Sequence, residues 1–291
     1  MDSKKETTQH IRYILPGFLS PGGIANAMIA IGKAKANLSI SRMLLLGILA
    51  GAFIGFGSEL ATITTYDMPK YLGVGFTKFM FGSVFSVGLM LIIIAGAELF
   101  TGNNLILMKV LNREGDLGKM FKSWFWVYVA NFLGSLLLVL IMFGTGLWKT
   151  GDFAVGAKAL AIANGKVNLS WLEAFTRGIG CNWLVCLAVW MSVAAKDIIG
   201  KIFGIYFPIM AFVASGFEHC VANMYFIPMG LLLKGNATIV ATAGLAGKLS
   251  NLTLQGFFVN NLKLFCVPFN EVLRPSYQFA VKILNFIIDT L

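Results

Sequence analysis

Two glutamates stand in segments that are otherwise apolar. Glu98 lies in Gly96-Ala97-Glu98-Leu99-Phe100-Thr101-Gly102-Asn103, and Glu218 in Gly216-Phe217-Glu218-His219-Cys220-Val221-Ala222-Asn223. The pattern G-x-E-x-x-x-x-N therefore occurs twice, 120 residues apart. An ionisable side chain in hydrocarbon is costly and marks a polar path or site. Ionised glutamates repel an anion, so their expected part is to accept hydrogen bonds from broken backbone and fix its shape. Asn103 and Asn223 are expected to bond local backbone in the same way. Direct contact of the glutamates with a cation or proton is the sharper alternative. His219 adjoins the second glutamate and is the one histidine outside the N-terminal tail. Its imidazole suits donation of a hydrogen bond, or of a proton, to a small anion near neutral pH. Covalent chemistry is not indicated: the chain has no nucleophile elbow, phosphate loop, dinucleotide fingerprint or zinc-protease helix. No enzyme, cofactor or metal site is expected.

The elements that position these residues are membrane spans. The chain is 57% hydrophobic and 12% charged, with mean hydropathy +0.79, whereas a soluble domain carries about 25% charge. Charge-poor runs at 43–65, 79–108, 123–148, 178–195 and 202–233 each suffice to cross a bilayer. A sixth element falls at 252–291. No cleavable signal peptide is expected, since the first ten residues are polar.

The net charge of +10 does not point to nucleic acid, because the basic residues sit in connecting segments. Lys4, Lys5, Arg12, Lys33, Lys35 and Arg42 precede the first span, and Lys109, Arg113, Lys119 and Lys122 follow the second. The positive-inside rule then places the N-terminus in the cytoplasm of a multi-pass inner (plasma) membrane protein. Lys149, Lys158 and Lys166 leave basic excess on the other face, where it can attract anions. The four cysteines read as small buried hydrophobes.

Two runs are too long for one straight span. Phe79–Met108 has 30 residues and Ile202–Leu233 has 32, about 45 Å of helix against a hydrocarbon core of about 30 Å. A break inside each run absorbs the excess and houses the motif. Three crossings separate the copies, so they run antiparallel, as in an inverted repeat with its site at the repeat interface. Each break exposes helix N–H groups, and two such ends favour an anion. Phe85 and Phe212 are weaker signals, able to form apolar collars around a path.

Residues 1–42 read as a cytoplasmic segment whose amphipathic helix, with Leu15, Phe18, Ile24, Ala27, Met28 and Ile31 on one face, lies along the membrane surface. The first span, from Met43, is rich in small residues that permit close helix approach.

Three blocks resemble the formate/nitrite transporter family. They are Ala95-Gly-Ala-Glu-Leu-Phe-Thr101, Cys181-Asn-Trp-Leu-Val-Cys-Leu-Ala-Val-Trp-Met191 and Ala214-Ser-Gly-Phe-Glu-His-Cys-Val-Ala-Asn-Met-Tyr-Phe-Ile-Pro228. The resemblance covers about Pro21 to Leu262. It implies an all-α, six-helix, aquaporin-like protomer with helices two and five broken, assembled as a homopentamer with one pore per protomer. It implies passage of formate, nitrite or hydrosulfide, with or without a proton. By the same resemblance His219 is the central pore histidine, Thr101 and Asn182 are its hydrogen-bonding partners, and Lys166 draws anions into a vestibule. Phe85 and Leu89 match the cytoplasmic-side constriction and Phe212 the opposite one. Glu218 and Asn223 match positions that hold the fifth-helix break. A mobile Ω-shaped loop corresponds to roughly 68–84.

The chain departs from the family after Asn260-Asn261-Leu262, where relatives continue with proline, Gly-Asn and Gly-Gly. Lys263, Glu271 and Arg274, with Pro268 and Pro275, make a poor spanning helix. Residues 263–291 are therefore expected to replace most of helix six, beyond a membrane domain at 43–262. The reading is a formate channel or transporter, with nitrite or hydrosulfide as alternatives. An inactive or scaffold-like membrane protein is the alternative class.

Overall fold

Ser39 and Ser170 begin the two halves of the protein in the same way. In the computed structural model, which describes residues 17–111 and 115–273, each serine caps a long helix. Ser39 Oγ accepts the Arg42 N–H at the start of Ile40–Thr65, and Ser170 Oγ accepts the Glu173 N–H at the start of Trp171–Ala194. A side-chain oxygen at this position satisfies one of the orphan N–H groups of the first turn. A shorter helix precedes each cap and a broken one follows.

The first half thus comprises α1 (Pro21–Ala36), α2 (Ile40–Thr65) and a broken run made of α3 (Pro69–Phe85), α4 (Val87–Met90), a π-turn (Leu91–Gly96), a 3-10 turn (Gly102–Ile106) and α5 (Leu107–Leu111). It closes with α6 (Leu117–Thr145). The second half repeats the order with α7 (Ala154–Val167), α8 (Trp171–Ala194), α9 (Ile198–Ser215) and α10 (Cys220–Leu233), then the short α11 (Ala237–Thr242) and α12 (Leu254–Leu273). Among the described residues, five helices are long and apolar enough to cross a membrane, at Ile40–Thr65, Pro69–Gly96, Leu117–Thr145, Trp171–Ala194 and Ile198–Ser215.

Small residues set the closest packing. On α2, a Cβ at Gly51 would fall 2.0 Å from the Asn131 carbonyl oxygen of α6, and one at Gly134 would fall 1.9 Å from the Ile48 oxygen. Backbones this close gain dispersion contact where water supplies no driving force. α10 is buried on nearly every side from Cys220 to Gly230, which makes it the central helix of the second half.

Three expectations need correction. α1 does not simply lie on a surface: Ile24, Met28, Gly32 and Ala36 form a buried stripe at four-residue spacing, packed on the 3-10 turn and α5. Residues 68–84 form no Ω loop: Pro69–Phe85 is two helical pieces joined by a kink at Gly73, at φ 73°. The sixth helix does not stop at 262. α12 continues to Leu273, 20 residues in all, about 30 Å long. Lys263, one of the residues read against a spanning helix, donates from Nζ to the Leu169 carbonyl at 2.9 Å. Leu264 and Val267 are buried against Gly178 of α8. Residues 1–16, with Lys4, Lys5, Arg12 and Leu15, lie outside the described residues, as do Arg113 and 274–291, with Arg274 and Pro275.

Candidate functional site

Both breaks are built by the same bonds. Gly96 has φ 89° and Gly216 has φ 82°, the left-handed region that only glycine enters without strain. One residue later Ala97 N–H donates to Ile92 C=O at 2.9 Å, and Phe217 N–H to Phe212 C=O at 3.1 Å. This six-to-one closure ends a helix and turns the chain away from its axis. Glu98 N–H then donates to the Leu46 carbonyl at 3.2 Å, and Glu218 N–H to the Arg177 carbonyl at 3.3 Å.

Each carboxylate is clasped by a lysine from the short helix of its half. Lys35 Nζ lies 2.7 Å from both oxygens of Glu98 and 3.1 Å from Asn103 Oδ1. Lys166 Nζ lies 3.1 and 3.0 Å from the oxygens of Glu218. Asn223 Nδ2 also donates to Glu218 at 2.7 Å, and to Asn260 Oδ1 at 2.8 Å. Asn131 spans the first break, accepting from Phe100 N–H and donating to the carbonyls of Gly47 and Glu98, each bond 2.9 Å. Pairing of this kind is what lets two buried carboxylates persist in apolar surroundings.

The two breaks differ beyond their glutamates. The first is followed by a 3-10 turn and a five-residue helix, the second by the 14-residue α10. The expected pair of convergent helix N-termini is therefore one full terminus and one short turn. His219 caps the full one: its Nδ1 accepts the Ala222 N–H at 3.1 Å. A ring nitrogen that accepts carries no proton, so in the neutral ring Nε2 holds the hydrogen. Nε2 lies 3.0 Å from Thr101 Oγ1 and donates to it. The ring is 3% exposed and stacks on Phe212, with centroids 5.9 Å apart.

Cavities lie on either side of this pair. A wide one of about 320 Å³ is lined by Phe85, Lys166, Arg177, Phe212, Glu218 and His219 among others. A central one of about 10 Å³ lies among Phe85, Leu89, Leu99, Phe212 and His219, room for about one water. A narrow one of about 40 Å³ is lined by Lys35, Leu89 and Leu99. Phe85 and Phe212 thus face both the wide and the central spaces, and Leu89 and Leu99 both the central and the narrow ones.

This arrangement corrects the placement of the apolar residues. Phe85 does not pair with Leu89 opposite Phe212; its ring meets Phe212 edge-on, centroids 5.9 Å apart. One helical turn carries Leu89 to the far side of the central space, where Leu99 joins it. Asn182 likewise does not bond His219: its Oδ1 accepts from Asn104 Nδ2 at 2.7 Å. It shares a second cavity of about 10 Å³ with Thr101 and His219. Lys166 faces the wide cavity, but its charge is already matched by Glu218.

Lys35, Leu99, Arg177, Asn131 and Asn260 were not singled out as site residues from sequence. Lys35 had a legible signal: it lies 131 residues before Lys166, the same interval that separates Ser39 from Ser170 and Leu46 from Arg177. Leu99 had one too, since it follows Glu98 as His219 follows Glu218; the places of Asn131 and Asn260 show only through contacts.

Apolar spans with two broken helices, meeting at a buried donor between cavities, define a multi-pass membrane channel or transporter rather than an enzyme. The formate/nitrite transporter family profile matches residues 22–267. This chain belongs to that family. It is 42% identical over 260 residues to a probable formate transporter of Methanothermobacter thermautotrophicus, covering 84% of this chain and 89% of that protein. It is 36% identical over 250 residues to the formate channel FocA of Escherichia coli strain K12, covering 84% and 86%. A solved structure described as a pentameric formate channel with formate bound superposes with TM-score 0.74 at 34% identity, covering 85% of this chain and 98% of that one.

Proposed function

We propose that this protein passes small monovalent anions, formate first among them, through each protomer of a homopentamer, and that His219 meets them as a neutral hydrogen-bond donor. The observation that carries the reading is the two-sided engagement of His219. Nδ1 is held by Ala222 N–H, so a second ring proton would break the cap of α10. Nε2–H stays available to exchange Thr101 for a substrate oxygen. The exchange trades one hydrogen bond for a charge-assisted one, which is shorter and stronger.

The apolar pairs supply selectivity. Phe85 and Phe212 on one side, and Leu89 and Leu99 on the other, enclose a space for one small particle and exclude its hydration shell. Lys35, Lys166, Glu98, Glu218, Asn103 and Asn223 hold the two breaks, keeping Thr101 and His219 in register. Asn182, positioned by Asn104, adds a polar group behind them. The basic residues around α1 favour placing the Lys35 side in the cytoplasm of a plasma membrane.

Uptake of labelled formate into proteoliposomes tests the proposal. Saturable uptake above protein-free vesicles is expected, with nitrite and hydrosulfide compared as substrates on the same vesicles. Absence of saturable uptake of all three would overturn it.

A further inference from the structure

We propose that Arg177 is the side chain that captures the incoming anion, and that it makes the two mouths of the path unequal. The inference rests on the anion passage argued above. Among the described residues, three charged ones line the wide cavity: Lys166, Arg177 and Glu218. Lys166 and Glu218 cancel, with both carboxylate oxygens within 3.1 Å of Nζ. Arg177 is left as the unmatched positive charge of the lining.

Glu173, the acid one turn before Arg177 on the same helix, is poorly placed to neutralise it. Glu173 Oε1 lies 4.0 Å from the guanidinium, with the two side chains 53% and 40% exposed. Glu173 Oε2 already accepts the Ser170 N–H at 2.9 Å in the capping box of α8. A solvent-facing pair at this distance contributes little. The guanidinium also has the right form for the cargo, because its planar fork matches the two oxygens of a carboxylate or of nitrite. Its backbone is fixed at the cavity floor, where the Arg177 carbonyl receives the Glu218 N–H.

The other half of the molecule supplies an internal control. Leu46 occupies the equivalent place, its carbonyl receiving the Glu98 N–H. Lys35 is the one charged residue lining the narrow cavity, and Glu98 matches it. Among the described residues that line the two cavities, the wide one therefore carries a net positive charge and the narrow one none. Walls of low dielectric concentrate the field of such a charge and raise the local anion concentration.

The test uses the full chain in proteoliposomes of one orientation, checked by protease access to a terminal tag. Formate uptake is measured with the impermeant salt potassium gluconate raised on one face at a time. For the wild type, salt on the wide-cavity face should raise the half-saturating formate concentration, and salt on the other face should not. Arg177→Gln should raise that concentration about tenfold and remove the salt effect, while Arg177→Lys keeps most of both. Glu173→Gln, which preserves the capping box, should leave it near the wild-type value. An Arg177→Gln pentamer with wild-type half-saturation and wild-type salt response would overturn the inference, as would equal salt effects from both faces. Should Arg177→Gln fail to assemble, the wild-type salt response decides: an effect confined to the wide-cavity face supports the inference and equal effects from both faces overturn it. A wild type that takes up no formate, nitrite or hydrosulfide overturns the proposed function, and this inference with it.

Discussion

Leu99 and His219 occupy the same place in the two halves, each following the glutamate of a helix break, and both line the central space. Only His219 can donate a hydrogen bond. The duplicated frame thus presents one polar and one apolar side chain to whatever sits between the breaks. On the proposed reading, a small anion held by His219 would have an apolar wall opposite it and would pass Leu99 and Leu89 on leaving toward Lys35.

The collars should set size selectivity independently. Phe212→Ala opens the side facing the wide cavity, and Leu99→Ala opens the side facing Lys35. Each alone leaves the other pair closed, so neither should admit acetate or lactate freely. The double variant should raise acetate uptake relative to formate several-fold. Competitive uptake of the two labelled acids measures this, and an unchanged ratio in the double variant contradicts the assignment.

The lysine clasps should behave as buried ion pairs. Lys35→Met leaves Glu98 without its main partner, and breaking such a pair costs about 3–5 kcal/mol. Adding Glu98→Gln removes the stranded charge, so the double variant should recover much of the loss. Thermal unfolding in detergent reads the difference. Equal stability of the single and double variants would show that Lys35 holds no charge in place.

The glycines separate two physical effects. Gly96 and Gly216 have positive φ, and nothing lies within 4 Å of a Cβ built on either. Alanine there meets only the left-handed penalty, about 1–2 kcal/mol. Gly51→Ala places a Cβ 2.0 Å from a carbonyl oxygen of α6, forcing two packed backbones apart. Gly51→Ala should therefore destabilise the detergent-solubilised protein more than either break variant. The reverse order would contradict the packing described for α2 and α6.

The breaks were legible because they rest on local rules: two runs too long for one span, and a glycine two residues before a buried glutamate. That Glu98 and Glu218 are buried was legible for the same reason, but their carboxylates accept from the Lys35, Lys166 and Asn223 side chains rather than from broken backbone as expected, and the Asn103 and Asn223 side chains likewise bond other side chains. Those partners were less legible. Lys35 reaches Glu98 across 63 positions, and its helix resembles a surface helix until Met28 and Gly32 are seen packed on the 3-10 turn. The pairing of Phe85 with Phe212 depends on which way two helices rotate, a quantity that residue type does not encode. Lys263 shows the limit of composition: a charge inside the sixth helix is accommodated once its ammonium finds the Leu169 carbonyl.

His219 offers the most direct test of the whole account. His219→Asn keeps a good cap for α10 but is too short to take the imidazole's place against Thr101. His219→Phe removes both cap and donor. Formate uptake should fall at least tenfold in both variants, while thermal stability falls clearly only in His219→Phe. Wild-type uptake by a stable His219→Asn pentamer would contradict the claim that this side chain donates to the passing anion.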